Sequence, residues 1–275
     1  MKKLLLMLLA LTMVLALLAG CGSKTPETDK PEPADAGTAE SAEAGQDAPE
    51  AAESEAAESE PAASETAESE TAPAAEVHPY AWLGLQDMPK CPYLDLLATN
   101  CYIQVYDTYV LGIKAEVTEA NRGVDAYQKN QSSLSYAING MIYSINTDAK
   151  SYTEYDMTSS LANAQTNMEN AISQGVNIKA RSLRGTGKAV VPFYSDDAGD
   201  SAEYDYYEYI TGSEEGGNYV IERFFLRDGD VFAIYTQTHT GETELEATNV
   251  IKSISGDVPD ELFQLPDLSG YTKLN

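Results

Sequence analysis

Residues 24–76 contain no Val, Ile, Leu, Met, Phe, Tyr, Trp or Cys. A segment with nothing apolar to bury cannot offset the conformational entropy lost on folding. This stretch therefore limits folded structure to what lies on either side of it. Six of the chain's twelve prolines fall here, and sixteen acids face two lysines. The repeat "AAESEAAESEPAASETAESE" is rich in helix formers, but its prolines and its i,i+4 acid pairs oppose a helix. The segment reads as a disordered acidic tether. As a coil it spans on the order of 40 Å. Its negative charge extends it and pushes it away from an anionic membrane. An acidic interaction tail is the alternative.

Ahead of the tether, Lys2 and Lys3 precede an uncharged run over residues 4–20, followed by Cys21. A basic start, an apolar stretch and small residues at its end describe a secretory signal. A retained membrane helix is the other reading, because the run is just long enough to span a bilayer. "LAGC" (Leu18, Ala19, Gly20, Cys21) resembles the lipobox of bacterial lipoproteins. That resemblance implies removal of residues 1–20, acylation of Cys21, and anchoring at the extracytoplasmic face of the bacterial cell membrane. Two acyl chains, such as palmitate, hold stably where one does not. Gly22 rather than Asp follows Cys21, so no inner-membrane retention signal of the Gram-negative type is present.

Residues 77–275 form the third part, of ordinary length for one domain. All eighteen tyrosines lie here, with 28 acids against 13 bases, so nucleic acid is not an expected partner. After lipidation of Cys21 two cysteines remain, Cys91 and Cys101. An even count in an oxidising compartment suggests one disulfide closing "CPYLDLLATNC", worth roughly 2–3 kcal/mol. Two free thiols are the alternative. Neither the cysteine spacing nor the two histidines suit a metal.

The domain's text is mostly β. Residues 80–92 read as irregular, anchored by Trp82, Leu83 and Leu85. "CYIQVYD" and "TYVLGIKAEV" read as strands, the second with an apolar odd face from Tyr109 to Val117. "EANRG" reads as a turn. "VDAYQKN", "SLSYAI", "MIYSIN" and "SYTEYDM" continue the meander, with Asn139-Gly140 as a hairpin signal. "TSSLANAQTNMENAISQG" then reads as an amphipathic helix. Leu161, Ala164, Met168, Ala171 and Ile172 share a face, Thr158 to Ser160 offer N-caps, and Gly175 is a natural C′ residue. A second run follows: "KAVVPFY", with Pro192 at an edge or bulge, then "AEYDYYEYIT", "NYVIERFFLR", "DVFAIYTQT" and "LEATNVIKSI". Asp228-Gly229 marks another hairpin. Leu262, Phe263 and Leu265 anchor the tail. This order predicts an α+β fold, mainly antiparallel β. The expected form is a curved half-barrel-like sheet of about nine to eleven strands covered by one or two helices.

The order resembles the LolA/LolB/LppX-type half-barrel family. "MIYSINTDAKSYTEYDM" is similar to that family's central hairpin. "IKSISGDVPDELFQLPD" is similar to its closing segment, at Ile251, Pro259, Leu262, Phe263 and Pro266. The resemblance implies a sheet and helical lid around an apolar space for lipid or acyl chains, with no catalytic residue. Related domains act as envelope sensors, so an envelope protein is the alternative partner.

Catalytic patterns are absent from the sequence. "RGTGK" has Ser182 and Ala189 where a Walker A motif needs Gly and Ser/Thr, and reads as a Gly turn. No G-x-S-x-G or S-x-x-K occurs. His78 and His239 read as surface residues. Asp196, Asp197 and Asp200 lack calcium-loop spacing. No enzyme activity, cofactor or metal is expected. The remaining signal is "EYDYYEYI". A bulge near Tyr206-Tyr207 would bring Tyr204, Tyr206, Tyr207 and Tyr209 to one face as a ligand platform. Without one, tyrosines serve both faces as ordinary sheet packing.

Overall fold

The computed structural model describes residues 77–274. The signal segment 1–20, Cys21 and the rest of the tether segment 21–76 lie outside the described residues. Twelve strands form one open sheet: β1 (Cys101–Val110), β2 (Ile113–Arg122), β3 (Asp125–Lys129), β4 (Ser133–Ile138), β5 (Met141–Asn146), β6 (Ser151–Asp156), β7 (Arg181–Ala189), β8 (Tyr204–Ser213), β9 (Asn218–Arg227), β10 (Asp230–Thr240), β11 (Thr243–Ser255) and β12 (Thr272–Lys273). Their order is β12-β6-β5-β4-β3-β2-β1-β11-β10-β9-β8-β7. Every pairing is antiparallel except β12 on β6. That two-residue strand carries the total past the expected number. The helices are α1 (Pro92–Ala98), α2 (Thr158–Gln174) and α3 (Tyr194–Ala198), with 3-10 turns at Ala81–Leu83 and Asp260–Phe263.

Local chemistry explains most of the turns. Asn139-Gly140 and Asp228-Gly229 each take two successive positive φ values, the type I′ geometry that matches strand twist. The same geometry corrects one expectation. "TYVLGIKAEV" is not one strand, because Leu111 and Gly112 have φ of 52° and 73° and fold it into a hairpin. Tyr109 then faces Lys114 and Val110 faces Ile113, so no continuous odd face exists. Glycine accepts this backbone freely, whereas Leu111 is strained there and is no sequence signal for a turn.

Further expectations shift: "EANRG", expected as a turn, supplies residues 119–122 to the end of β2. The strand expected at "KAVVPFY" runs instead from Arg181 to Ala189 and ends before Pro192. "RGTGK" is therefore strand, not turn, with a bulge between Leu183 and Gly185. Gly187 lets the Tyr206 ring approach, since a Cβ there would stand 2.8 Å from its hydroxyl. In α2, Leu161 and Ala171 are buried and Gly175 takes the left-handed cap conformation, as the sequence predicts. Ile172 is exposed rather than core. The N-cap is Met157, without a side-chain cap, rather than one of Thr158 to Ser160, and the Thr158 N–H donates to Asp156 Oδ1 at 2.9 Å.

Three apolar clusters fix the layers. Phe224 and Phe225 are adjacent on β9 and point to opposite faces. The front face takes Phe224, Tyr209 and Val231, packed against Tyr80, Trp82, Leu83, Leu85, Tyr93 and Leu94 of the N-terminal segment and Ala171 of α2. The back face takes Phe225, Ala233 and Tyr235 beneath Val191, Phe193 and Tyr194. Across the sheet, Tyr127, Tyr136 and Ile145 form a separate core with Phe263, Leu262 and Leu265 of the tail. On β1, Ile103 joins this core and Tyr109 meets Tyr194. Their shared parity places this third core on the back face.

Candidate functional site

The front face of β1–β6 differs from the rest. Register aligns Gln104, Glu119, Gln128, Ser135, Ser144 and Thr153 directly opposite one another across six strands. Directly opposed residues in antiparallel strands share a face. Every member of this row is polar. The neighbouring row on the same face is Tyr102, Asn121, Ala126, Ala137, Ile142 and Tyr155. On the row's other flank, Tyr106 lies opposite Val117. That flank continues as Ser133, Asn146 and Ser151, so the polar row has a mostly apolar neighbour on one side and a mixed one on the other.

Glu119 is the centre of the stripe. Its Oε1 accepts from the Tyr102 hydroxyl at 3.1 Å and from Asn121 Nδ2 at 3.0 Å. Its Oε2 accepts from the Tyr106 hydroxyl at 3.3 Å. Gln128 Nε2 donates to Tyr106 Oη at 3.4 Å, and Tyr93 Oη donates to Gln104 Oε1 at 3.2 Å. Burial pushes the Tyr102 and Tyr106 phenols well above their usual range, and the adjacent Glu119 charge pushes them further. Both therefore remain donors at physiological pH. None of the ion pairs among the described residues includes Glu119.

A second front-face acid, Glu222, is built differently. Glu222 meets Arg181 through two bonds, Nε to Oε2 at 2.6 Å and Nη2 to Oε1 at 2.7 Å. Arg181 Nη1 also donates to the Leu83 carbonyl at 3.1 Å, and its guanidinium lies 5.6 Å from the Phe224 ring centre. This pair ties β7 to β9 and to the N-terminal segment, and its polar atoms are satisfied within the protein.

The residues singled out in the sequence fall elsewhere. β8 pairs with β9 without a break from Asp205 to Ser213, so the bulge near Tyr206-Tyr207 does not form. Tyr204 and Tyr206 join the back-face cluster, while Tyr207 and Tyr209 join the front one. The four tyrosines are sheet packing on two faces, not one platform. The expected Cys91–Cys101 disulfide is also corrected, since both are free thiols. Pro92 at the first position of α1 starts a seven-residue helix directly after Cys91. That helix stands between the two cysteines where the sequence suggested a closed loop. Burial raises the pKa of the Cys91 thiol, which makes it unreactive.

His78 packs edge-on against Tyr80, and His239 stacks on Tyr219 at 4.2 Å. Asp197 takes a hydrogen bond from Tyr109 at 3.0 Å and pairs with Lys114 at 2.8 Å. Asp200 accepts from Tyr204 at 2.8 Å. These acids brace the segment after β7. Among the described residues no group of three metal-ligating side chains forms. A shallow cavity of about 280 Å³ at the end of α2 is lined by Asn167, Asn170, Ala171, Val176 and Ile178. The sequence analysis did not identify the Glu119 row. No protein-family model and no curated protein matches this chain, so its chemistry must be read from its own residues.

Proposed function

We propose that this chain is a lipoprotein anchored through Cys21 at the extracytoplasmic face of the membrane. Its domain binds an amphipathic ligand, a lipid or acyl chain with a polar part, without catalysis. The binding surface is the front face of β1–β6, curved as a half-barrel. One observation carries this reading: a polar row from Gln104 to Thr153, only half-buried at Glu119, Gln128, Ser144 and Thr153, beside a mostly apolar row from Tyr102 through Ala126, Ala137 and Ile142 to exposed Tyr155. Ligand sites combine mostly apolar walls with a few convergent polar groups. The front face of β8–β10 is excluded as a ligand chamber, because Tyr80, Leu85, Leu94, Tyr209 and Phe224 fill it.

The test uses the full chain extracted from native membrane, with mass spectrometry of whatever co-purifies. A fluorescent fatty-alcohol probe, with a neutral head, is then titrated against wild type and an Ala137→Trp variant. The added ring, set between Ala126 and Ile142, is expected to weaken the probe at least about tenfold, the equivalent of 1.4 kcal/mol. Equal binding by both proteins, with no co-purifying lipid, would sink the reading.

An interaction module on a long tether is the second reading. Val77, Ile172 and Val176 are exposed apolar residues beside the point where the tether joins the domain, and Val77 sits over Gly175. An Ile172→Glu change that abolishes crosslinking to an envelope protein in cells would favour it over ligand binding.

A further inference from the structure

We infer that Glu119 selects, among amphipathic ligands, a lipid-like amphiphile with a primary ammonium head. This rests on the proposed ligand site and specifies what it takes. A carboxylate presents about four lone-pair positions. Three of those on Glu119 are occupied, by Tyr102, Tyr106 and Asn121. All three donors are neutral, so the negative charge is held in place but not compensated. None of the ion pairs among the described residues reaches it, whereas Glu222 on the same face has a bidentate arginine. One lone pair remains for an N–H from outside.

The surroundings exclude the opposite charge. Both phenol hydrogens point to Glu119, and the Gln104 oxygen already accepts from Tyr93. A phosphate or carboxylate head would meet a fixed negative charge with its nearest donors engaged. The domain also carries 28 acids against 13 bases. Buried tyrosines flank Glu119 along β1, and aromatic side chains tolerate a cation beside them. On the neighbouring row, half-buried Ala126 and half-exposed Tyr155 offer apolar surface for a chain. A head with N–H donors, a positive charge and one alkyl chain meets each of these features.

The experiment compares amphiphiles with the same alkyl chain on the full-length protein. Dodecylammonium, dodecyl maltoside and dodecyl sulfate are titrated below their micelle-forming concentrations, against wild type and Glu119→Gln. Wild type is expected to prefer the ammonium over the maltoside by at least about tenfold, the size of a hydrogen bond to a charged group. The sulfate should bind weakest. Glu119→Gln removes the charge while its one amide oxygen can still accept from Tyr102 and Asn121, and should erase the preference for the ammonium over the maltoside. A preference that survives in Glu119→Gln reflects general attraction to an acidic surface and overturns the inference. Equal wild-type affinity for ammonium and maltoside overturns it too, yet leaves the amphipathic site standing. Binding of none of the three removes the site itself. Should Glu119→Gln not fold, the wild-type preference and its weakening with added salt decide the matter, because a salt-independent preference is not ionic.

Discussion

Tyr209 and Tyr106 lie on the same face of one sheet, and both are buried. They differ in what meets their hydroxyls. Tyr209 packs edge-on against Phe224, ring centres 5.9 Å apart, and its hydroxyl has no hydrogen-bond partner among the described residues. Tyr106 donates to Glu119 and accepts from Gln128. Around Tyr209 the sheet is covered on both faces by apolar side chains. Around Tyr106 the back face carries an apolar core, while the front face sets the polar row beside Val117, Ile251 and Ile254. In the first half tyrosine fills volume like phenylalanine. In the second it holds an acid in position. A protein that needed only stability would have no use for that second arrangement, because an apolar row in the same register would also pack.

The largest expected effect is loss of the whole fold at alkaline pH, which tests whether the two halves are one unit. Burial raises the pKa of Tyr80, in the doubly covered half, and of Tyr136, in the back-face core behind the polar row, to about 12 each. The unfolded phenol titrates near 10. Their protonated state thus contributes stability that is complete below pH about 10 and is lost as pH rises through about 12. Phenolate absorbance and near-ultraviolet circular dichroism should change together in one step within that window. Two separated steps would mean that the halves unfold independently.

Phe224→Ala strikes the doubly covered half alone. Its ring is almost fully buried between β8 and the N-terminal segment. The expected loss is about 3–5 kcal/mol in urea denaturation. A loss below about 1 kcal/mol would show that this cluster is not close-packed.

The two front-face acids come next. Glu222→Gln leaves the Arg181 guanidinium largely buried without its counter-charge, which costs about 3 kcal/mol. Glu119→Gln removes a charge that has no paired cation and should cost about 1 kcal/mol. Equal costs would erase the distinction between a structural and a recognition carboxylate. Denaturation curves at the same ionic strength read both.

The two halves were unequally legible in the sequence, and the reason is physical. Asn139-Gly140 and Asp228-Gly229 announce their turns because the required positive φ is a property of those residues. Leu111-Gly112 does not announce itself, since half of its signal is a leucine in an unfavourable conformation. α1 was hidden by its brevity and by two cysteines that suggested a closed loop. The polar row is a different kind of omission. Each strand shows one ordinary polar residue, Gln104 here and Ser135 there, and no local pattern marks any of them. Only register brings them opposite each other, and register comes from the turns and the back-face core acting together. The tyrosine stretch from Tyr204 to Tyr209 drew attention for its composition, yet an unbroken ladder divides it between two dry layers.

The smallest effect is the sharpest test of the contrast between Tyr209 and Tyr106. Tyr209→Phe removes a buried hydroxyl that has no hydrogen-bond partner among the described residues and keeps the ring against Phe224. An unpaired buried polar group costs about 1–3 kcal/mol. Its removal should leave stability unchanged or raise it by about 1 kcal/mol. Tyr106→Phe also keeps its ring but strips Oε2 of Glu119 of its donor and Gln128 of its acceptor. It should lower stability by about 1–2 kcal/mol. The opposite signs are the discriminating feature, because both changes delete one oxygen from a buried tyrosine on one face of one sheet. Urea midpoints at constant slope would resolve them. The same sign for both would mean that the Glu119 network is incidental packing, and that the polar row has no more claim to function than the covered half.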